Sequence, residues 1–234
     1  MQAALIQIMP PEEAEKIRVT LDTQEWQEGK ARTADLTGFI KRNKELKPTP
    51  NGTDIVTALS GQVTSGIANN EEFALLTSLR KMTGVKFNKY GDDEPGGEYK
   101  RHTDAPFMGQ CRTDFTVILA LTDPDTYEGG DHHVVDPLNG EMIFRPKQGE
   151  LMLYTTGFPH WVDPVTKGSR ISALSWAESQ IDTEVQRALC RTLHKLSREL
   201  EVAMLEKKED ERFRDWFVDV GVVHSGLYRM WATR

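Results

Sequence analysis

From residue 85 to residue 177 the sequence is a series of short apolar runs, each broken by Gly, Pro, Asp or Asn, and this pattern limits the folds open to the chain. Six of the runs predict β-strands, at residues 85–90, 115–121, 132–135, 142–145, 151–154 and 171–176. Turn signals separate them, including Asp123-Pro124, Gly129-Gly130 and Asn139-Gly140. Strands this short and this closely spaced predict an antiparallel sandwich or barrel.

Helical patterns flank this β-rich region on both sides. Prolines at 10 and 11 suit a helix start, and apolar residues recur every three to four positions after them and again over 55–67. A third helix is expected over 70–82, and a long one over 182–207. The expected fold class is therefore mixed but mainly β, with helical segments at 1–84 and 179–234 around a β core at 85–178.

The C-terminal helical segment is unusually apolar for its length. An apolar stripe is expected to pack against the β core; it comprises Val185, Leu189, Leu193, Leu196 and Leu200. Further aromatic side chains follow at Phe213, Trp216, Phe217 and Trp231. This is more apolar surface than one small domain hides, so we expect a homodimer through the C-terminal helices, with an intramolecular cap as the alternative.

The overall charge excludes some functions. With 29 basic and 36 acidic residues the formal charge is −7, which disfavours binding to nucleic acid because affinity for phosphate backbones depends on clustered Lys and Arg. Two distant cysteines, Cys111 and Cys190, provide no disulfide framework and suit a reducing compartment. No apolar run approaches the roughly 18 residues of a membrane span. We therefore expect a cytoplasmic protein that does not enter the membrane.

Three residues form a candidate metal site. His102 and Asp104 stand in a His-x-Asp tripeptide, whose side chains point to the same face of an extended segment. His160 follows after several predicted strands. Two imidazoles and one carboxylate that leave other positions open are the ligand set of non-haem Fe(II) oxygenases.

A candidate anion site accompanies the metal site. Arg170 follows His160 by ten residues at the start of a predicted strand, and if it faces the interior it shares that face with Ser172, Leu174 and Trp176. A buried arginine requires an anion, and a dicarboxylate cosubstrate would bind its planar fork. Tyr90 and Tyr99 precede His102 and could reach the same ligand. The alternative is that Arg170 pairs with a surface carboxylate and the tyrosines belong to the core.

The motifs taken together resemble the PKHD-type hydroxylases, which are prolyl-4-hydroxylase-like Fe(II)/2-oxoglutarate dioxygenases. The resemblance covers about residues 85–179 and rests on the segments FNKY (87–90), YKRHTD (99–104), RTD (112–114), LTDP (121–124), YEGG (127–130), GEL (149–151) and HWVDPVTKGSR (160–170).

The resemblance implies a double-stranded β-helix, or jelly-roll, core. It implies iron on His102, Asp104 and His160, and 2-oxoglutarate anchored by Arg170. Tyr90 is the better candidate for a tyrosine contact to the cosubstrate, with Tyr99 near it and Thr116 a weaker candidate. It further implies O2 as cosubstrate, ascorbate as a reductant, succinate and CO2 as products, and a prolyl or other peptidyl or amino-acid substrate.

Two other functions compete with this interpretation. One is a metal-binding jelly roll that serves as a sensor or binding protein without turnover, although such a protein needs no interior arginine. The other is a nucleic-acid demethylase on the same core. Demethylases of that kind are expected to carry a second arginine six residues after the first. In this chain that position is Trp176.

The sequence departs from the family pattern in two places. The loop 91–98 is acidic and is a candidate lid. The strand after Gly130 begins Asp131-His132-His133, where the pattern predicts an acidic and an apolar residue. Neighbouring strand residues point to opposite faces, so one of the two histidines should face solvent and the other is a candidate substrate contact. His194 and His224 are expected on helix surfaces or in helix packing.

Overall fold

A computed structural model of the chain describes residues 3–29, 41–46, 55–91, 97–207 and 210–233. Five α-helices lie within these ranges: α1 Pro11–Asp22, α2 Ile55–Ala68, α3 Glu71–Thr77, α4 Glu184–Glu206 and α5 Glu211–Trp231. The strands of the N-terminal part are β1 Ala3–Gln7, β2 Trp26–Glu28, β3 Lys41–Arg42, β4 Lys44–Leu46 and β5 Leu79–Met82. The remaining strands are β6 Lys86–Gly91, β7 Gly97–His102, β8 Phe107–Met108, β9 Cys111–Arg112, β10 Phe115–Ala120, β11 Glu128–Gly129, β12 His132–Asp136, β13 Gly140–Phe144, β14 Glu150–Thr155, β15 His160–Lys167 and β16 Ser169–Ser179.

Fourteen of the strands form two antiparallel sheets that face each other, and β8 and β9 pair separately as a two-stranded sheet. In the larger sheet the order is β1-β14-β10-β16-β6-β4-β2, with β5 also paired to β16. In the smaller sheet the order is β13-β12-β15-β7-β3, with β11 paired to β15. The expected mixed, mainly-β fold with a jelly-roll core is confirmed.

The larger sheet is buried on both of its faces. Along β10, Phe115, Val117 and Leu119 belong to the main hydrophobic core, which also includes the apolar sides of α1, α2 and α3. The alternate residue Ile118 packs with Val134 of the smaller sheet. Since successive strand residues point to opposite faces, the helices cover one face of the sheet, and the other faces a space between the two sheets.

The six strands expected from the sequence are present, with ends that differ by at most three residues from those expected, but the third helix is shorter than expected. It ends at Thr77 rather than at residue 82. Ser78 adopts a left-handed conformation with φ 48°, which terminates the helix. The following residues, Leu79–Met82, then hydrogen bond to the end of β16 as a strand.

The first third of the chain also supplies strands that its helical pattern does not indicate. β1 pairs along β14, with Ala3 opposite Tyr154, and β4 pairs with β6. These strands cover sheet edges that would otherwise leave backbone groups unpaired. Of the acidic loop 91–98, residues 92–96 lie outside the described residues.

The C-terminal helices α4 and α5 pack side by side, but their apolar stripe does not face the β core. Val185, Leu189 and Leu196 are 71%, 47% and 40% exposed, so the prediction that they pack against the core is wrong. The buried side of α4 is instead the side of Arg187 and Cys190. Arg187 donates a hydrogen bond to the carbonyl of Ile181 and lies over the ring of Phe115.

None of the described helices combines the length and the apolar character that a membrane crossing requires.

Candidate metal and cosubstrate site

The structure brings His102, Asp104 and His160 together at one end of the β7–β15 pair in the smaller sheet, with Asp104 two residues beyond the end of β7. His102 ends β7, His160 begins β15, and the two residues lie directly opposite each other in the antiparallel pair. One ligand atom from each of the three residues lies within 4.8 Å of the others. The Nε2 atoms of His102 and His160 are 3.9 Å and 3.8 Å from Oδ1 of Asp104.

Backbone hydrogen bonds orient both imidazoles. The Nδ1 atom of His102 lies 2.7 Å from the carbonyl oxygen of Lys100, and that of His160 lies 2.9 Å from the carbonyl oxygen of Phe158. Each Nδ1–H therefore donates to the residue two positions earlier, and each Nε2 keeps its lone pair for a ligand. Burial, and then the neighbouring His160, lower the pKa of His102 to about 4, so its imidazole is neutral at neutral pH.

The carboxylate of Asp104 is held through one of its two oxygens. The indole Nε1–H of Trp176 donates to Oδ2 at 2.9 Å, and the hydroxyl of Thr116 lies 3.0 Å from the same atom. This leaves Oδ1 directed toward the two imidazoles. Thr116, expected as a weak candidate for a cosubstrate contact, lies in the site, but its hydroxyl hydrogen bonds to Asp104 and Thr156.

Arg170 is buried at the start of β16, with 5% of its surface exposed. Its guanidinium carbon lies 5.7 Å from the ring centre of Tyr90, which is directly opposite it on β6. No described carboxylate lies within 4.0 Å of it, so the alternative of a surface ion pair does not agree with its position. Gly130, at φ +71°, makes room for it, because a Cβ there would lie 3.2 Å from Cδ of Arg170.

A narrow cavity between the sheets joins the candidate metal ligands to Arg170. Its walls include the two predicted tyrosines, Tyr90 and Tyr99, together with Thr116, Ser172 and Leu174. The ring of Tyr99 stacks on that of His102 with centroids 3.5 Å apart. Burial raises the pKa of Tyr90 above its ordinary value and that of Tyr99 to about 12, so both hydroxyls remain protonated donors. The structure thus places every predicted site residue around one cavity.

Two further residues, His132 and Tyr154, line the cavity wall; one of His132 and His133 was expected as a substrate contact, whereas Tyr154 was given no site role from the sequence. His132 faces inward and is 2% exposed, and its Nε2 lies 3.2 Å from the hydroxyl of Tyr154. His133 faces outward, with its ring nitrogens 2.6 Å from Glu141 and 2.7 Å from Asp163. The expected division of the two histidines between opposite faces is confirmed. The only signal for Tyr154 is its place in a predicted strand.

The donor set of this cavity fits both groups that the sequence implies. Two neutral imidazoles and a carboxylate are the three-residue ligand set of non-haem Fe(II) sites. A buried guanidinium with no carboxylate partner among the described residues is a receptor for the far carboxylate of a dicarboxylic acid.

The remaining histidines, His194 and His224, lie away from this cavity between α4 and α5, with ring centroids 6.1 Å apart.

Comparisons with known proteins agree with this geometry. Residues 85–178 match the 2OG-Fe(II) oxygenase superfamily. A PKHD-type hydroxylase of Picosynechococcus sp. is 32% identical over 184 residues, which are 78% of this chain and 80% of that protein. One from Acidovorax ebreus is 29% identical over 238 residues and 99% of both chains. A prolyl hydroxylase of Trichoplax adhaerens, solved with a peptide fragment of the hypoxia inducible factor oxygen degradation domain, superposes with a TM-score of 0.55 at 19% identity, over 80% of this chain and 86% of that chain.

Proposed function

Because this chain belongs to the PKHD-type hydroxylases, which are Fe(II)- and 2-oxoglutarate-dependent dioxygenases, we propose that its site is the cavity between the two sheets. The observation that carries the proposal is the position of Arg170. A buried cation without a described carboxylate partner shares one cavity with His102, Asp104 and His160. A protein that only binds a metal needs no such cation, whereas a dioxygenase must hold a dicarboxylate beside its iron.

In this proposal His102, Asp104 and His160 hold the iron. The chemistry supplied by bound Fe(II) and 2-oxoglutarate is activation of O2 for hydroxylation of a C–H bond, with release of succinate and CO2. Thr116 and Trp176 orient the carboxylate of Asp104 by donating to Oδ2. The backbone carbonyls of Lys100 and Phe158 keep both histidines in the tautomer that leaves Nε2 free.

Arg170 holds the far carboxylate of 2-oxoglutarate, and the hydroxyls of the buried Tyr90 and the half-buried Tyr99 are donors around the same ligand. A charge-assisted hydrogen bond of this kind contributes about 1.5–3 kcal/mol. The apolar walls, including Ile118, Val162 and Leu174, exclude bulk water from the reacting atoms.

The primary substrate reaches the iron from a second cavity of about 460 Å³, which adjoins the first at Asp104, Asn88 and Tyr99. Its walls also carry Lys86 and Trp176, so it offers both charge and an aromatic surface. We propose a prolyl or other peptidyl or amino-acid substrate. The peptide complex of the Trichoplax prolyl hydroxylase supports this choice by analogy of fold.

Three other expectations complete the proposal. We divide the chain into an oxygenase core at 85–178 with flanking segments 1–84 and 179–234, which the extent of the superfamily match supports. We assign the protein to the cytoplasm, because both cysteines are free and buried. Ascorbate is the proposed reductant. We also propose that α4 and α5 form the contact of a homodimer.

The test is an anaerobic titration of the iron-loaded protein with 2-oxoglutarate. A visible charge-transfer absorption should develop, because the keto acid needs two free positions on the metal, and addition of O2 should then yield succinate. Each of the variants His102→Ala, Asp104→Ala and His160→Ala should lose bound iron and succinate formation. His224→Ala, a histidine on α5 away from the cavity, is the matched control and should keep both.

Two results would contradict the proposal. If the wild-type protein binds iron but gives no charge-transfer absorption and no succinate, it is a metal-binding jelly roll without turnover. If one of the three variants keeps wild-type iron content and succinate formation, that residue is not a ligand.

A further inference from the structure

His132 is a buried polar side chain that the proposed function does not use. It begins β12, is 2% exposed, and lines the cavity between the proposed iron ligands and Arg170. Its ring is nearly parallel to that of His160 with centroids 5.7 Å apart. Among the described residues, however, the cluster with metal-ligand spacing consists of His102, Asp104 and His160. His132 therefore lines the site without belonging to the ligand set.

The hydrogen bonding of His132 is incomplete. One ring nitrogen, Nε2, contacts the hydroxyl of Tyr154 at 3.2 Å. The other, Nδ1, is buried and has no hydrogen-bond partner in the part of the chain that the structure describes. A neutral imidazole has one donor and one acceptor nitrogen, so if the Tyr154 hydroxyl donates to Nε2, Nδ1–H is a free donor. Burying such a group without a partner costs free energy, which implies that a ligand or bound water completes it.

Arg170 and Tyr154 indicate which kind of ligand this is. The Arg170 guanidinium lines the same cavity and finds no described carboxylate within 4.0 Å. Tyr154, on β14 of the larger sheet, lies between His132 and Thr116, and burial raises the pKa of its hydroxyl, which stays protonated and can donate to Nε2 of His132. A buried cation and one buried N–H donor provide a charged fork and an additional hydrogen bond for one carboxylate, and Tyr154 holds His132 in the tautomer that presents that N–H.

We propose that His132, supported by Tyr154, binds the far carboxylate of 2-oxoglutarate together with Arg170, and so contributes to the choice of a dicarboxylate over a monocarboxylate keto acid. The inference rests on the proposed function and adds a cosubstrate-binding residue to it. A site built from buried donors rejects an analogue that lacks the carboxylate, because its donors are then left unpaired.

The test measures binding rather than turnover. The full chain is loaded with Zn(II), which supports no oxidation, and titrated calorimetrically with 2-oxoglutarate and with 2-oxopentanoate, in which a methyl group replaces the far carboxylate. His132→Leu should raise the Kd for 2-oxoglutarate about tenfold or more, the effect of losing one hydrogen bond to a charged group, and should leave the Kd for 2-oxopentanoate unchanged. The zinc content should equal that of the wild type.

His132→Asn serves as the second variant, because its amide occupies roughly the position of Nδ1. It should retain most of the preference for 2-oxoglutarate, and it remains informative if the leucine variant does not fold. A wild-type Kd for 2-oxoglutarate in His132→Leu would show that Nδ1 binds only water and would overturn the inference. Equal weakening of both keto acids would overturn it too, because the side chain would then only shape the cavity. If the wild-type protein binds neither zinc nor 2-oxoglutarate, the proposed function itself fails.

Discussion

The two oxygens of the Asp104 carboxylate have different surroundings, and this difference orients the carboxylate toward the two histidines. Oδ2 accepts from Trp176 and Thr116, whereas Oδ1 faces the imidazoles of His102 and His160. Groups that orient a ligand in this way change metal affinity by about 10–100-fold when they are removed. Thr116→Val keeps the shape of the side chain and removes the hydroxyl. We expect it to weaken Fe(II) binding by about tenfold or more, as measured by competition with a chelator.

A buried threonine elsewhere provides the control for this experiment. Among the described residues, the hydroxyl of Thr77 bonds only to the carbonyl of Phe73 in its own helix, so Thr77→Val should keep wild-type iron affinity. If both variants bind iron equally well, Thr116 does not orient Asp104.

At position 170, arginine and lysine differ in the geometry of the cationic group rather than in its charge. Arg170→Lys keeps the cation but loses the planar fork that matches a carboxylate. We expect the 2-oxoglutarate concentration for half-maximal turnover to rise about tenfold or more, since about 1.4 kcal/mol of lost binding is a factor of ten. Iron content should not change. Superimposable saturation curves for the two proteins would remove Arg170 from the cosubstrate site.

The part of the site that the sequence predicts is the part carried by spacing. The His-x-Asp tripeptide and period two along β16 identify His102, Asp104 and the inward face of Arg170. The supporting contacts are not predictable in this way. Trp176 reaches Asp104 from 72 residues away, and Tyr154 reaches His132 from a different sheet. Such partners depend on how the sheets face each other, which local patterns do not encode.

The strands that the sequence fails to predict are likewise those that depend on pairing with distant segments rather than on a local pattern. The sequence predicts no strand over 160–167, although β15 occupies that range. Pro164 interrupts the pattern, and the pairing of β15 with β7 shifts register between Val162 and Val165. Proline is tolerated in strands at such irregular positions. Similarly, Leu79–Met82 continues a helical pattern but becomes a strand because β16 offers it backbone partners.

The outer face of the smaller sheet contains a cross-strand contact built around a histidine. His133 on β12 lies between Glu141 on β13 and Asp163 on β15, and its ring stacks on Trp161. Burial alone would lower the pKa of His133, but the hydrogen bonds to Glu141 and Asp163 outweigh it and raise the pKa. The contact therefore stabilises the fold fully below the unfolded-state pKa of about 6.5, and the stabilisation is lost as pH rises through the higher folded value.

The prediction is that His133→Gln lowers the urea midpoint near pH 6 and has a smaller effect near pH 9. His224 supplies a control of opposite sign, because burial and then His194 lower its pKa. The urea midpoint of His224→Gln should therefore rise relative to that of the wild type as pH falls below about 6.5. If the difference between wild type and His133→Gln does not change with pH, His133 is not charged in the contact.

At the scale of the whole molecule, α4 and α5 leave an apolar surface without a partner among the described residues. On α5, Trp216, Val223 and Met230 recur every seven residues and are 48%, 50% and 75% exposed. On α4, Leu189 and Leu196 have the same spacing. Seven-residue stripes on two packed helices are typical of the seam of a helical bundle, which a second copy of the chain would complete.

We therefore expect light scattering to give twice the chain mass of 26.5 kDa at micromolar concentration. Val223→Glu should give a monomer, because the charge would be buried in the contact. Val218→Glu changes an equally exposed valine on another face of α5 and should leave the dimer intact. A wild-type monomer at this concentration, or dissociation by both variants, would argue against this surface.

The indole of Trp176 also gives the molecule an internal optical probe. Its Nε1 lies 2.9 Å from the carboxylate of Asp104, so a transition-metal ion on that carboxylate would lie close to the ring and quench its fluorescence. The chain has five tryptophans, and the quenched fraction of the emission would follow occupancy of the site without any added dye. Replacing Trp176 with Phe would remove this response along with the hydrogen bond. Metal uptake and release can thus be followed in real time on the unmodified protein.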